Sequence, residues 1–430
     1  MLIFFGKSEF CSNFAQKFSK QEMIYPDNFE QKIGFNEIRT MLRERCLSTL
    51  GKEQVEKMGF SDHAETVNEW LIQVREFRQL ISEVEDFPLQ YFYDVRESIV
   101  RIRIENTHLE ENELFDLRRS LSTIESIVKI LNHSDEDDSH AEENDGWRRE
   151  KKYTYPALHR LAKDVITFPQ IIQRIDQILD KYGKIRDNAT PELLQIRREL
   201  AKTEGSISRT LYSILRSAQS EGVVEKDVTP TLRDGRLVIP VIPTLKKKIK
   251  GIVHDESATG KTVFIEPTEV VEANNRVREL EGEERKEIIR ILTNFTNKVR
   301  PYVREMMDSY RFLAKIDLIQ AKAKIAEIFK AIEPEVEDHP HIDWIRAIHP
   351  LLQISLEKKG EKVVPLDIIL TQEKRILIIS GPNAGGKSVC LKTVGLLQYM
   401  LQCGLSIPVS ERSKTGVFQN IMIDIGDEQS

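Results

Sequence analysis

Cysteine is scarce in this chain: Cys11, Cys46, Cys390 and Cys403 are the only four in 430 residues. No two of them form a C-x-x-C pair, and no histidine cluster accompanies them in the sequence. Neither a disulfide framework nor a cysteine zinc site is therefore expected, and a reducing cytoplasm fits. Glycine and proline are sparse as well, at 20 and 16 residues, and so few turn signals favour long helices. No apolar run approaches the length that spans a bilayer, so no membrane partner is expected. The opening MLIFFGKSEFCSNF is apolar for too short a stretch to be a signal-peptide core. Positive charge is not in excess either. The net charge is −6, so any nucleic-acid contact must come from a local basic patch.

What is present is a globular composition, 40% hydrophobic and 31% charged, tilted toward long exposed helices. The length suggests about two to four domains. Residues 1–22 look unlike the rest of the chain, and an upstream extension with translation starting at Met23 is one reading of them. Residues 23–185 read as helical. Trp70, Val74, Phe77 and Ile81 share a face, and Leu114, Leu117, Leu121, Ile124, Val128 and Leu131 alternate steps of three and four, as a packed helix seam does. Residues 133–148 are an acidic, solvated loop without assigned function. A helix from Pro169, with Ile172, Ile175 and Leu179 inward, is expected to stop at Gly183.

Residues 186–300 carry a clearer pattern. Thr190-Pro191-Glu192 supplies an N-cap, a first-turn proline and a first-turn acid. Leu193, Ile196, Leu200, Thr203, Ile207, Thr210 and Ile214 then repeat as heptads. A second helix after Pro267-Thr268 shows Val270, Ala273, Val277, Leu280, Ile288, Ile291, Phe295 and Val299, interrupted by a charged stretch from Glu281 to Glu287. Between them, in residues 222–268, Val238 to Val241, Ile252-Val253 and Val263 to Ile265 read as short strands. Asp234-Gly235 is a turn signal there, and the prolines point to edge strands. The expected shape is an antiparallel helix pair tipped by a small sheet, with residues 301–340 returning as a third long helix.

From residue 341 the pattern changes. Strand-like runs fall at Val363-Val364 and Ile368 to Leu370. Arg375 to Ser380 is an almost continuous apolar run that suits a buried parallel strand. Directly after it stands Gly381-Pro382-Asn383-Ala384-Gly385-Gly386-Lys387-Ser388, then a helix from Lys387 to Cys403, and a last strand near Ile421 to Ile423. Glycines let successive backbone N–H groups turn inward, and the helix start adds its positive dipole end. Lys387 is placed to meet the β- and γ-phosphates of ATP, and Ser388 to ligate Mg2+. Hydrolysis needs a further carboxylate and a water-orienting group. No apolar strand ending in Asp-Glu follows Ser388, so no catalytic residue is assigned within the chain.

GPNAGGKS resembles the Walker A form of MutS-type ATPases. The stretch from Ser380 to Val409, the stretch from Gly251 to Glu281, AIHPLL at Ala347 to Leu352 and the terminal DIGDEQS together resemble the MutS-two branch. The resemblance runs from about Met23 to Ser430. It implies a multidomain, mainly α protein. Residues 23–185 and 301–340 would be core and lever helices, 186–300 a clamp, and 341–430 the first part of an α/β P-loop ATPase domain, cut before its hydrolytic machinery. It implies ATP and Mg2+ as cofactors, a homodimer, and DNA or the ribosome with its rRNA as partner. It also implies a nuclease domain beyond Ser430. The fragment as it stands is expected to bind nucleotide weakly and not to hydrolyse it. The adenine contact would fall near Val363 and His349, although Val363 is aliphatic where repair MutS proteins carry an aromatic ring.

The most basic stretch is Lys246-Lys247-Lys248-Ile249-Lys250, between two clamp strands, with Arg233 and Arg236 as expected neighbours. No aromatics interleave, so backbone phosphate contact is expected there, not base stacking or readout. Two other classes compete. In an SMC- or ABC-like ATPase the long helices follow the P-loop, whereas here they precede it. A non-enzymatic fragment that only binds nucleic acid or a partner also fits.

Overall fold

The computed structural model describes residues 3–5, 24–90, 92–134, 153–380 and 386–424. In chain order the elements begin with β1 (Ile3–Phe5), β2 (Ile24–Tyr25), α1 (Phe29–Ile33), α2 (Phe35–Arg45), α3 (Thr49–Lys57) and α4 (Ala64–Glu83). There follow α5 (Arg96–Arg101), α6 (Glu111–Leu131), α7 (Pro156–Ala162), α8 (Pro169–Ile178) and α9 (Pro191–Ser220). Then come β3 (Thr231–Arg233), β4 (Arg236–Val241), β5 (Gly251–Glu256), β6 (Val263–Pro267), α10 (Thr268–Val299) and α11 (Val303–Phe329). The last are β7 (Val336–Glu337), β8 (Ile342–Ala347), α12 (Pro350–Glu357), β9 (Leu366–Leu370), α13 (Lys387–Gln402), β10 (Lys414–Gly416) and β11 (Ile421–Ile423). Helix dominates, with several small sheets, and no described helix is long and apolar enough to cross a membrane. Most of the acidic stretch at 133–148 lies outside the described residues.

Two compact units form. One comprises Glu97–Arg118 and Pro169–Val303. Its helices α9 and α10 pack along each other. The α9 start follows the sequence signal: Thr190 Oγ1 accepts from Leu193 N at 3.2 Å, and Pro191 opens the helix. On α9 the buried apolar positions lie toward its two ends. Leu193 is buried at one end of α9, and Ile207, Leu211, Leu215 and Ala218 toward the other. The far part therefore runs one position out of step with the expected Thr210 and Ile214. Polar pairs flank the buried Leu280 of α10, where Arg197 meets Glu284 at 2.7 Å and Arg276 meets Glu199 at 2.9 Å, and at the start of α9 Thr190 donates to Glu287 at 2.7 Å. Half-exposed ion pairs contribute about 0–1 kcal/mol each. A buried Leu or Ile contributes about 1.5–3 kcal/mol, so the buried apolar residues, not the ion pairs, hold the pair together. Helix α8 ends at Ile178, short of Gly183, because Asp180 takes over as the acceptor of a tight turn from Gly183 N at 3.1 Å.

At the tip, the sheet order is β3-β4-β6-β5, all antiparallel. Asp234 and Gly235 both have positive φ, 45° and 73°, as the two-residue β3–β4 hairpin requires. The expectation that the prolines mark edge strands is corrected, since β4 and β6 are the inner strands. Pro240 is tolerated because β3 pairs β4 only as far as Val238, leaving the missing N–H no ladder to break on that side. Ile239, Val241, Val263 and Ile265 bury against Leu211, Leu215 and Val270.

The other unit comprises Met1–Arg96, Arg119–Phe168 and Arg304–Ser430. Its four-stranded sheet has the order β7-β10-β8-β9, with β10 parallel to β7 and the other pairs antiparallel. A smaller sheet is ordered β1-β11-β2, so residues 3–5 pair with the strand at Ile421 to Ile423. Phe35, Ile38, Leu42, Trp344, Leu397 and Met400 share one core. Val74, Phe77, Ile124, Ile127, Leu313 and Ile316 share another. The buried face of α4 is Val67, Leu71, Val74, Phe77 and Leu80, while Trp70 and Ile81 flank it half-buried.

Two strand expectations fail. Residues Arg375 to Ser380 form no strand, and Ile376 and Ile378 are 80% and 85% exposed. An apolar run becomes a buried strand only where neighbouring strands satisfy its N–H and C=O groups. Among the described residues none pairs with it. Val363-Val364 likewise stays irregular, and the strand begins at Leu366.

Candidate nucleotide and nucleic-acid sites

Of the P-loop octet, Gly381, Pro382, Asn383, Ala384 and Gly385 lie outside the described residues. The rest stand at the start of α13. Gly386 occupies the cap position with φ +79°, a left-handed conformation that disfavours any side chain, and a Cβ there would meet nothing within 4 Å. The first intrahelical bond is Cys390 N to Gly386 O at 2.9 Å, so the N–H groups of Lys387, Ser388 and Val389 have no helical acceptor. Gly386 brings no side-chain cap, and Ser388 and Val389 are exposed. A left-handed glycine at the cap, a positive dipole end and an exposed Ser388 fit a phosphate with its Mg2+.

The rest of α13 is anchored hard. Every residue from Thr393 to Gln402 is buried. Fully buried Gln402 accepts from Phe418 N at 3.1 Å and donates to the carbonyls of Phe418 and Ser61 at 2.9 and 2.8 Å. Gln398 donates to Gly416 O at 2.9 Å. Tyr399 donates to Glu30 at 2.6 Å, and Arg39 grips the same carboxylate through two bonds of 2.7 Å. Burial alone would raise the Glu30 carboxyl, but Arg39 and Tyr399 hold it below its usual value. The helix thus presents a fixed, exposed N-terminus from a buried shaft. Gln398 and Gln402, spaced four apart on an otherwise apolar helix, are the signal that sequence reasoning missed.

His349, a candidate adenine contact, has a structural task. It caps α12, its Nδ1 accepting from Leu352 N at 3.3 Å. Burial, followed by the positive Lys392 on α13, pushes its imidazole down to about 4, so it is neutral near pH 7, as an acceptor must be. Val363 is half-buried in the irregular stretch ahead of β9.

In the other unit, Lys246, Lys247 and Lys248 end a 3-10 turn at Pro243–Lys248, and Lys250 comes two residues later. All four are exposed, while Ile249 between them is buried and anchors the turn. The expected help from Arg236 is corrected. Its guanidinium is committed to the fully buried carboxylate of Glu266, at 2.7 and 2.9 Å. Glu266 also receives Asn274 at 2.6 Å and His254 at 2.5 Å. Burial would raise the Glu266 carboxyl, and these three partners together hold it below its ordinary range. Arg233 is only half-exposed, lying over the Phe264 ring at 4.3 Å and 4.0 Å from Asp255. Of the expected basic cluster, the four lysines of the turn are the members that stand exposed without an ion-pair partner among the described residues.

No family model matches the chain. Individual proteins do. It is 36% identical over 398 residues to the endonuclease MutS2 of Geobacillus sp. (strain WCH70), covering 93% of this chain and 48% of that protein. It is 35% identical to the endonuclease MutS2 of Levilactobacillus brevis, covering 92% and 47%. It is 33% identical to that of Enterococcus faecalis, covering 93% and 48%. The chain spans about half the length of the curated relatives it matches. Over nearly all of its own residues, this chain belongs to the MutS2 family.

Proposed function

We propose that this chain binds ATP with Mg2+ at the N-terminus of α13 and contacts the phosphate backbone of DNA through the lysine turn of the clamp-like tip. The observation that carries the nucleotide half is the left-handed Gly386 leading directly into a helix whose first turn carries Lys387 and the exposed Ser388. Gly386 frees the backbone to turn toward the phosphates. The N–H groups of the first turn donate to them, Lys387 neutralises their charge, and the Ser388 hydroxyl takes a coordination place on Mg2+. Bound Mg2+ neutralises phosphate charge. The buried glutamines and the Tyr399–Glu30–Arg39 group hold the helix so that these donors keep their aim. The DNA half rests on four exposed lysines on an anchored turn and on the relatives' designation as endonucleases.

Titration of a fluorescent ATP analogue with and without Mg2+ tests the nucleotide half. Ser388→Ala is expected to remove most of the Mg2+-dependent gain while leaving Mg2+-free binding nearly unchanged. An unaltered Mg2+ dependence in that variant removes Ser388 from the metal.

A further inference from the structure

Glu337, Asp338, His339, Pro340 and His341 run from the end of β7 to the start of β8. The chain bends at Asp338 and His339, and this short connection brings the side chains of residues 337, 339 and 341 together. Their ligating atoms all lie within 4.8 Å of one another, the only such histidine, cysteine or carboxylate group among the described residues. His339 Nε2 is 3.1 Å from Glu337 Oε2, and the His339 and His341 rings are 5.8 Å apart. Ligands about 2.0–2.1 Å from a tetrahedral ion sit roughly 3.3 Å apart. One pair is already at that spacing, and the other two edges, within 4.8 Å, need only small side-chain adjustment to reach it.

The backbone beneath is held from below. β10 pairs with β7 on one side and β8 on the other. Gly416 N donates to His341 O at 2.8 Å, and Val417 N donates to Glu337 O at 3.3 Å. The turn lies so close over β10 that a Cβ on Gly416 would fall 1.8 Å from His339 O. Pro340 fixes one φ angle. Both outer ligands therefore sit on pinned backbone, which lowers the ordering cost of gathering three donors.

We propose that Glu337, His339 and His341 form a binding site for a borderline divalent transition metal of the Zn2+ type. Two imidazoles and one carboxylate suit Zn2+, Ni2+ or Cu2+ and not Mg2+ or Ca2+, which take oxygen ligands. The fourth position faces solvent. The ion staples β7 to β8 across β10, and so fixes the strands that lead into the α12 cap and its His349.

Calorimetric titration of the chain with Zn2+, in a buffer mildly alkaline of the ordinary imidazole range, tests this. One ion per chain is expected to bind saturably and to raise the thermal midpoint. Co2+ in its place should give a visible ligand-field band with no thiolate charge-transfer band. His339→Gln, a surface change, should weaken binding at least about 10-fold and cancel most of the thermal gain. Glu337→Gln should weaken binding as well, with the circular dichroism of both variants unchanged. No saturable binding, an affinity in both variants equal to that of the unaltered chain, or a thiolate band that places the ion on cysteine overturns the proposal.

Discussion

Two apolar stretches of similar composition meet different fates. In the clamp-like tip, Arg236–Val241 and Val263–Pro267 pair with each other, and every residue of the second is buried. In the other unit, Arg375 to Ser380 is at least as apolar, yet it lies exposed and unpaired among the described residues. Each tip strand also has a neighbour close along the chain, β3 for the first through the Asp234-Gly235 turn and β5 for the second, and the sheet packs on α9 and α10. The other run has none among the described residues. Apolar content sets what a segment gains by burial, and a hydrogen-bonding neighbour decides whether burial is allowed.

The contrast can be broken hardest at Glu266. Glu266→Ala leaves Arg236 with its charge poorly paired in a nearly closed site and should destabilise the tip by about 3–5 kcal/mol, read as a drop in amide-exchange protection in β4 to β6. Because the partners of Glu266 lower its folded-state pKa, its stabilisation is present above the ordinary glutamate value. It should fade as pH falls through the lowered value. A tip equally protected in Glu266→Ala would show the network to be idle. Next, Ile265→Ala should cost about 2–5 kcal/mol, whereas Ile378→Ala should stay within about 0.5 kcal/mol. Equal costs in chemical denaturation would mean that the exposed run is packed after all. Smallest in stability is exchange of Lys246, Lys247, Lys248 and Lys250 for serine, which should leave folding within about 0.5 kcal/mol. It should lower the slope of log DNA affinity against log salt by about 0.9 for each phosphate that is no longer neutralised. An unchanged slope would take the lysine turn out of the interface.

Where a feature depends on a few adjacent residues, it is legible in the sequence. Thr190-Pro191 caps α9 as expected, Asp234-Gly235 turns the hairpin, and the seam from Leu114 to Leu131 is buried throughout. Features set by distant partners are not. Nothing near Arg236 in sequence reveals that Glu266, 30 positions away, has claimed it. His349 reads as a ligand candidate until Leu352 N is seen to occupy its Nδ1. The heptad pattern of α9 slips one position because the tip sheet, not α10 alone, covers Leu211 and Leu215. Of the candidate nucleotide site, the motif and its helix are readable. The glutamines and the Tyr399–Glu30–Arg39 group that fix the helix join residues up to 369 positions apart.

The central claim is that the first turn of α13 is a phosphate site. Calorimetric titration of the chain with Mg-ATP, beside Lys387→Ala, tests it most directly. The account predicts saturable binding by the unaltered chain and an affinity at least about 10-fold weaker in the variant, the cost of removing one charge-assisted contact of about 1.5–3 kcal/mol. Equal affinity in the two proteins would contradict it.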